Sequence, residues 1–209
     1  MQKRYFYNML KEHLLLCLGW ILFSVLHSLL ADHALKKKLS QRRPRLFTYY
    51  RLFYTVFAFA TFAAVVGYQV FLDSPLLYIS NGFLDIAGWI VAVTGVVIMF
   101  ICIKKYFLSL SGLKSLFANA VVANELRIDG IHRYVRHPLY LGTFLAIWGA
   151  WIVYPFLSLL LSNLIITGYT LAGIVLEERK LVIEFGKDYL DYKKRVPTLL
   201  PRLKRQNSA

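Results

Sequence analysis

Long apolar runs separated by short basic stretches dominate the chain. Five of them approach the roughly 20 residues needed to cross the hydrocarbon core of a bilayer: 14–31, 47–72, 83–103, 139–154 and 156–176. The pattern predicts an all-α fold, a polytopic membrane helical bundle of about five spanning helices, read as a single membrane domain over 1–209. The first run carries no small-residue cleavage site and is read as a retained span. Only Pro155 separates the fourth run, which is short, from the fifth, so the two are expected to form a tight helical hairpin. Residues 1–103 form a three-span region, and 104–209 hold the hairpin with two long polar segments, 104–138 and the tail after 177. A chain that only had to turn round would use short connections, so those two segments are where a site is expected.

Composition agrees with this picture. Hydrophobic residues make up 58% of the chain and the mean hydropathy is +0.53, above the roughly half-apolar make-up of soluble domains. The net charge of +14 would suggest nucleic acid in a soluble protein. Here the bases lie between apolar runs, so topology and anionic lipid explain them and no nucleic-acid partner is expected. Lys36, Lys37, Lys38, Arg42, Arg43, Arg45 and Arg51 surround the first connection, six bases from Lys104 to Arg136 the third, and nine the tail, while the second and fourth carry none. The positive-inside rule makes the basic segments cytoplasmic and places the N-terminus outside. Trp20, Trp89, Trp148 and Trp151 suit an aromatic belt. Cys17 and Cys102 both fall in apolar runs, so no disulfide framework or metal site is expected.

The chemistry-bearing residues cluster at two places. The third connection ends RIDGIHRYVRHPLYLG, 127–142, where Gly130 permits a sharp turn and Pro138 suits the first turn of a helix. Arg136 and His137 stand at that helix N-terminus, a place that suits an anion, and Tyr140 offers a face for a cation or a flat ring. The alternative is an interfacial helix start with snorkelling bases. The fifth run then enters LEERKLVIEFGKDYLDYKKRVPTLLP, 176–201. Carboxylates at the depth of Glu177 and Glu178 call for a partner: a ligand ammonium or sulfonium, Arg136 or Arg179. Otherwise they mark the exit into water. Leu181, Phe185, Tyr189 and Tyr192 recur at helical spacing, an apolar-aromatic face open to core packing or to a ligand. His27 in the first run is either functional or an interhelical contact.

RHPLYLG at 136–142, an apolar hairpin, LEERKL at 176–181 and FGKDYLDYKKRVPTLLP at 185–201 together resemble the isoprenylcysteine carboxyl methyltransferase superfamily. That resemblance implies an integral membrane methyltransferase using S-adenosylmethionine. Its cofactor pocket would be closed by the loop, the start of the fourth span and the tail. It places His137, Pro138, Leu139, Tyr140 and Glu177 against the cofactor, with Leu126 and His132 at further cofactor-contacting positions. Arg136 and Glu178 are the candidates at the reacting centre, and His27 and Tyr189 those on the acceptor side. The prenylcysteine enzymes carry an Arg four residues before the first Glu, where this chain has Gly173. HSLLA with its following Lys run, GLK at 112–114 and HRYVRHPLYLG also look similar to bacterial members that methylate small thiols such as methanethiol. The expected acceptor is therefore a lipophilic or small-molecule thiol or carboxylate, and the expected location a bacterial inner membrane. A non-catalytic membrane protein is the rival from another class, although the paired interrupted spans or repeats of transporters are not found.

Overall fold

The computed structural model describes residues 2–110, 126 and 128–201. The GLK stretch, most of 124–127 and the tail bases beyond 201 lie outside them. The described elements are α1 (Gln2–Ala31), α2 (His33–Arg42), α3 (Pro44–Val70), α4 (Gly82–Leu110), a 3₁₀ turn (Gly130–Arg133), α5 (Pro138–Val153) and α6 (Leu157–Arg195). The fold is all-α, and the helices Phe6–Ala31, Leu52–Val70, Gly82–Lys104 and Leu157–Arg195 are long and apolar enough to cross a membrane. The fourth apolar run becomes α5, only 16 residues, or about 24 Å at 1.5 Å per residue. Helix α1 starts well before its apolar run, because helical hydrogen bonding does not depend on the surrounding solvent.

Local punctuation explains the breaks. Asp32 Oδ1 accepts the Leu35 N–H at 3.0 Å and caps α2. Pro44 opens α3, where its missing N–H costs nothing.

The chain forms two compact units, each assembled from separated stretches. The first takes its described residues from 2–81, 106–110 and 154–166. In it α1 packs on α3 along a buried polar seam. Gln69 Oε1 accepts from Trp20 Nε1 at 3.3 Å and from Ser162 Oγ at 2.7 Å. His13 donates from Nδ1 to the Met9 carbonyl at 2.7 Å, and its Nε2 lies 3.0 Å from Ser74 Oγ. Ser74 Oγ accepts in turn from the Ser158 N–H at 2.9 Å. Such bonds join helices where burying apolar surface gives little.

The second unit takes 82–105, 126, 128–153 and 167–201. Here α4 and α5 approach backbone to backbone. Gly88, Ala92 and Gly95 face Gly142, Ala146 and Gly149, and a Cβ built on Gly142 would lie 2.8 Å from the Gly95 carbonyl oxygen. Residues seven apart share a helix face, so small side chains there let two membrane helices touch. Trp148 Nε1 donates to Thr167 Oγ1 at 3.1 Å, tying α5 to α6 as the expected hairpin.

Candidate functional site

The site grows from three breaks in regular structure within the second unit. At Gly130, φ is 61°, a value that favours glycine, and the 3₁₀ turn follows. Val135, 2% exposed, anchors the next step of the chain. Pro138 is fully buried and starts α5, with the first helical bond running from Leu141 N to the His137 carbonyl at 3.0 Å. The third break is Gly186 within α6, at φ 52° and ψ −122°. Beyond it Tyr189, Tyr192 and Val196 pack in one cluster with Leu126, Leu181, Val182 and Phe185. Gly186→Ala meets no clash in space, yet its backbone strain is expected to loosen 187–196 by about 1–3 kcal/mol. Faster amide exchange across that segment checks this.

The tail after α6 is sewn to the loop before α5. Arg136 N donates to the Pro197 carbonyl at 2.9 Å and His137 N to the Thr198 carbonyl at 3.1 Å. Both of these backbone N–H groups, just before the helix start expected to suit an anion, are thus taken by the tail. Tyr192 Oη donates to the His132 carbonyl at 2.7 Å. The Arg136 side chain, 7% exposed, uses all five of its N–H donors. Nε and Nη2 donate to Glu178 Oε1 at 2.9 and 2.6 Å, and Nη2 also to Thr198 Oγ1 at 2.7 Å. Nη1 donates to the Lys193 carbonyl at 3.2 Å and to that of Val196.

The two glutamates are unlike. Glu178, 12% exposed, also meets Lys193 Nζ at 2.8 Å and His137 Nε2 at 3.3 Å. The Glu177 side chain is 45% exposed. Its Oε2 accepts from Tyr140 Oη at 3.0 Å and lies 3.7 Å from His137 Nδ1. The His137 and Tyr140 rings stack at 5.5 Å, 20° from parallel. One carboxylate is locked inside a charge network, while the other reaches solvent beside two stacked rings.

The structure therefore brings Arg136, His137, Pro138, Tyr140, Glu177 and Glu178 together. Leu139 sits in the first turn of α5, and its carbonyl accepts from Thr143 Oγ1 at 3.0 Å. His132 lies with its Nδ1 3.2 Å from the Arg136 carbonyl. Leu126 and Tyr189 belong to the aromatic cluster, Tyr189 being 1% exposed. His27 belongs to the first unit, where Tyr54 Oη lies 3.0 Å from its Nε2 and its ring packs on Phe23 at 5.6 Å. Lys193 and Thr198 were not among the expected residues. Both also bond to Arg136, 57 and 62 positions away, so no local pattern announces them.

Comparisons with known proteins bear on this second unit. The family described as phospholipid methyltransferase matches residues 83–188. Methanethiol S-methyltransferase 2 of Bradyrhizobium diazoefficiens is 41% identical over 85 residues, 40% of this chain and 31% of that protein. Methanethiol S-methyltransferase 1 of the same organism is 33% identical over 136 residues, 62% of this chain and 44% of that one. Protein-S-isoprenylcysteine O-methyltransferase of Schizosaccharomyces pombe is 34% identical over 110 residues, 49% and 47% of the respective chains. The chain thus spans less than half the length of these relatives. No solved structure matches.

Proposed function

The chain belongs to the phospholipid methyltransferase family, and from that premise we propose that it is an S-adenosylmethionine-dependent integral membrane methyltransferase. The observation that carries this reading is Glu177, an open carboxylate held beside the stacked rings of His137 and Tyr140. That group fits a cofactor with a cationic amino-acid end and a flat ring system. When bound, the cofactor supplies a methyl group on a sulfonium, open to in-line displacement. Glu177 would hold its ammonium, and Tyr140 and His137 its remaining surface. Pro138 and Leu139 would shape the floor, with His132 and Leu126 behind them. Arg136 and Glu178 would act by keeping His137 and the tail in place.

The acceptor is a lipophilic or small thiol or carboxylate, methylated as in the isoprenylcysteine O-methyltransferases. A carboxylate is ionised at neutral pH and needs no base. Small-thiol S-methylation is the second reading, supported by the methanethiol enzymes among the relatives and by Gly173, which has open space where an Arg could stand. A thiol must lose its proton, and a nearby cation favours the thiolate. In this reading the N-terminus is outside and the tail cytoplasmic, in a bacterial inner membrane.

Titration calorimetry with S-adenosylhomocysteine tests the site. Glu177→Ala and His137→Ala are each expected to weaken binding about tenfold or more, the loss of one charge-assisted contact of roughly 1.5–3 kcal/mol. Unchanged affinity in both variants rules the site out, and no binding by the wild-type protein rules out the enzyme reading. Methyl transfer to a panel of acceptors, with products identified by mass spectrometry, separates the two acceptor classes.

A further inference from the structure

A cleft of about 570 Å³ lies along α6, lined by Val175, Glu178, Arg179, Val182, Ile183 and Lys193. Residues 175, 178, 179, 182 and 183 form one helical stripe, and Lys193 comes from beyond the Gly186 kink. The Lys193–Glu178 ion pair of 2.8 Å spans that kink. Glu177 and Tyr140 do not line this cleft, which opens on the other side of the Glu178–Lys193 pair.

Along the stripe Val175, on the side of the apolar run, is 50% exposed, and Ile183, two turns further on, is 86% exposed. Arg179 stands between them, and Lys193 comes across from beyond the kink. Glu178 already faces the Arg136 guanidinium at 2.6 Å, so the bases outnumber the carboxylate. Among the described residues Arg179 takes part in no hydrogen bond or ion pair. The cleft begins where the apolar run of α6 ends, at 176, which is the depth of lipid headgroups. A guanidinium and an ammonium beside exposed aliphatic side chains match a phosphate carrying an acyl chain. A free phosphate would leave Val175 without a partner.

We infer that the concave side of the α6 kink binds the phosphate headgroup of an anionic membrane lipid, with Arg179 and Lys193 on the phosphate and Val175 along the start of its chain. This does not rest on the methyltransferase reading, because its test measures no methyl transfer.

The test counts lipid retained on the detergent-purified protein by native mass spectrometry after incubation with phosphatidylglycerol or phosphatidylcholine. The wild-type protein is expected to retain phosphatidylglycerol in preference. Arg179→Gln is expected to reduce that preference about fivefold. Lys180→Gln removes the same charge one residue on, outside the cleft, and is expected to leave it intact. Equal retention of the two lipids by the wild type overturns the inference. So does an equal loss in both variants, which would mean diffuse surface attraction. Displacement by soluble glycerol phosphate as effective as by short-chain phosphatidylglycerol also overturns it, because the acyl chain would then contribute nothing.

Discussion

Gly149→Val is expected to prevent the second unit from assembling, with little of the variant recovered as a monodisperse, cooperatively unfolding species. A Cβ at Gly149 would stand 2.8 Å from both the Gly88 carbonyl oxygen and the Ala92 Cα, and closer still to the Ala92 N. All three are backbone atoms inside α4, so no rotamer change relieves them. The helices must separate by an ångström or more, and the contacts of Gly88 and Gly95 go with that movement. Overpacking a core usually costs about 1–3 kcal/mol through side-chain strain. A clash against backbone along a whole stripe exceeds that range, and it is a large share of a domain's roughly 5–15 kcal/mol. Gly168→Ala serves as the contrast. Its Cβ would meet nothing within 4 Å, so helix propensity alone acts, in the stabilising direction by up to about 1 kcal/mol. Thermal unfolding of the two variants should move in opposite directions. A shift of Gly149→Val no larger than that of Gly168→Ala would refute the close-packed stripe.

That stripe shows what the sequence conveys and what it hides. Spanning helices are legible because lipid demands length and apolarity together, and the four long helices and the hairpin at Pro155 follow from that demand. The glycines of α4 and α5 stand in plain view at two-turn spacing. A small residue in an apolar run, however, reads the same whether it faces lipid or a neighbour. Helix ends are hidden for a related reason: α1 and α6 continue beyond the hydrocarbon, where hydropathy no longer speaks. The aromatic face Leu181, Phe185, Tyr189 and Tyr192 is legible as a group, and it does pack together. Gly186, in the middle of it, is the only local sign that the helix bends. At the site, Arg136, His137, Tyr140 and the two glutamates are legible from residue type and position. Which glutamate is buried is not, because that depends on Lys193 and Thr198, whose pairing exists only once the chain has folded.

Arg136→Gln carries the second large expected effect, and it separates two roles for this arginine. The guanidinium is the point where the loop, α6 and the tail meet, with all five donors engaged. Glutamine brings two donors and no charge. The carbonyls of Lys193 and Val196 and the Thr198 hydroxyl cannot all be satisfied, and Glu178 keeps only Lys193 and His137. Breaking a buried pair costs about 3–5 kcal/mol, so even the lower figure raises the undocked tail population more than a hundredfold. Amide exchange across 193–200 should accelerate accordingly, while that of α4 stays as it was. Affinity for S-adenosylhomocysteine should fall with it, because His137 loses its hold on the Thr198 carbonyl and its neighbour on the charge network. Arg136→Lys should recover little, since an ammonium has three donors and no planar fork. If Arg136 instead acted on the acceptor directly, Arg136→Gln would leave tail protection and cofactor affinity near wild type and reduce only turnover. Tail exchange, measured beside kcat and KM, decides between a residue that positions the site and one that touches the reacting atoms.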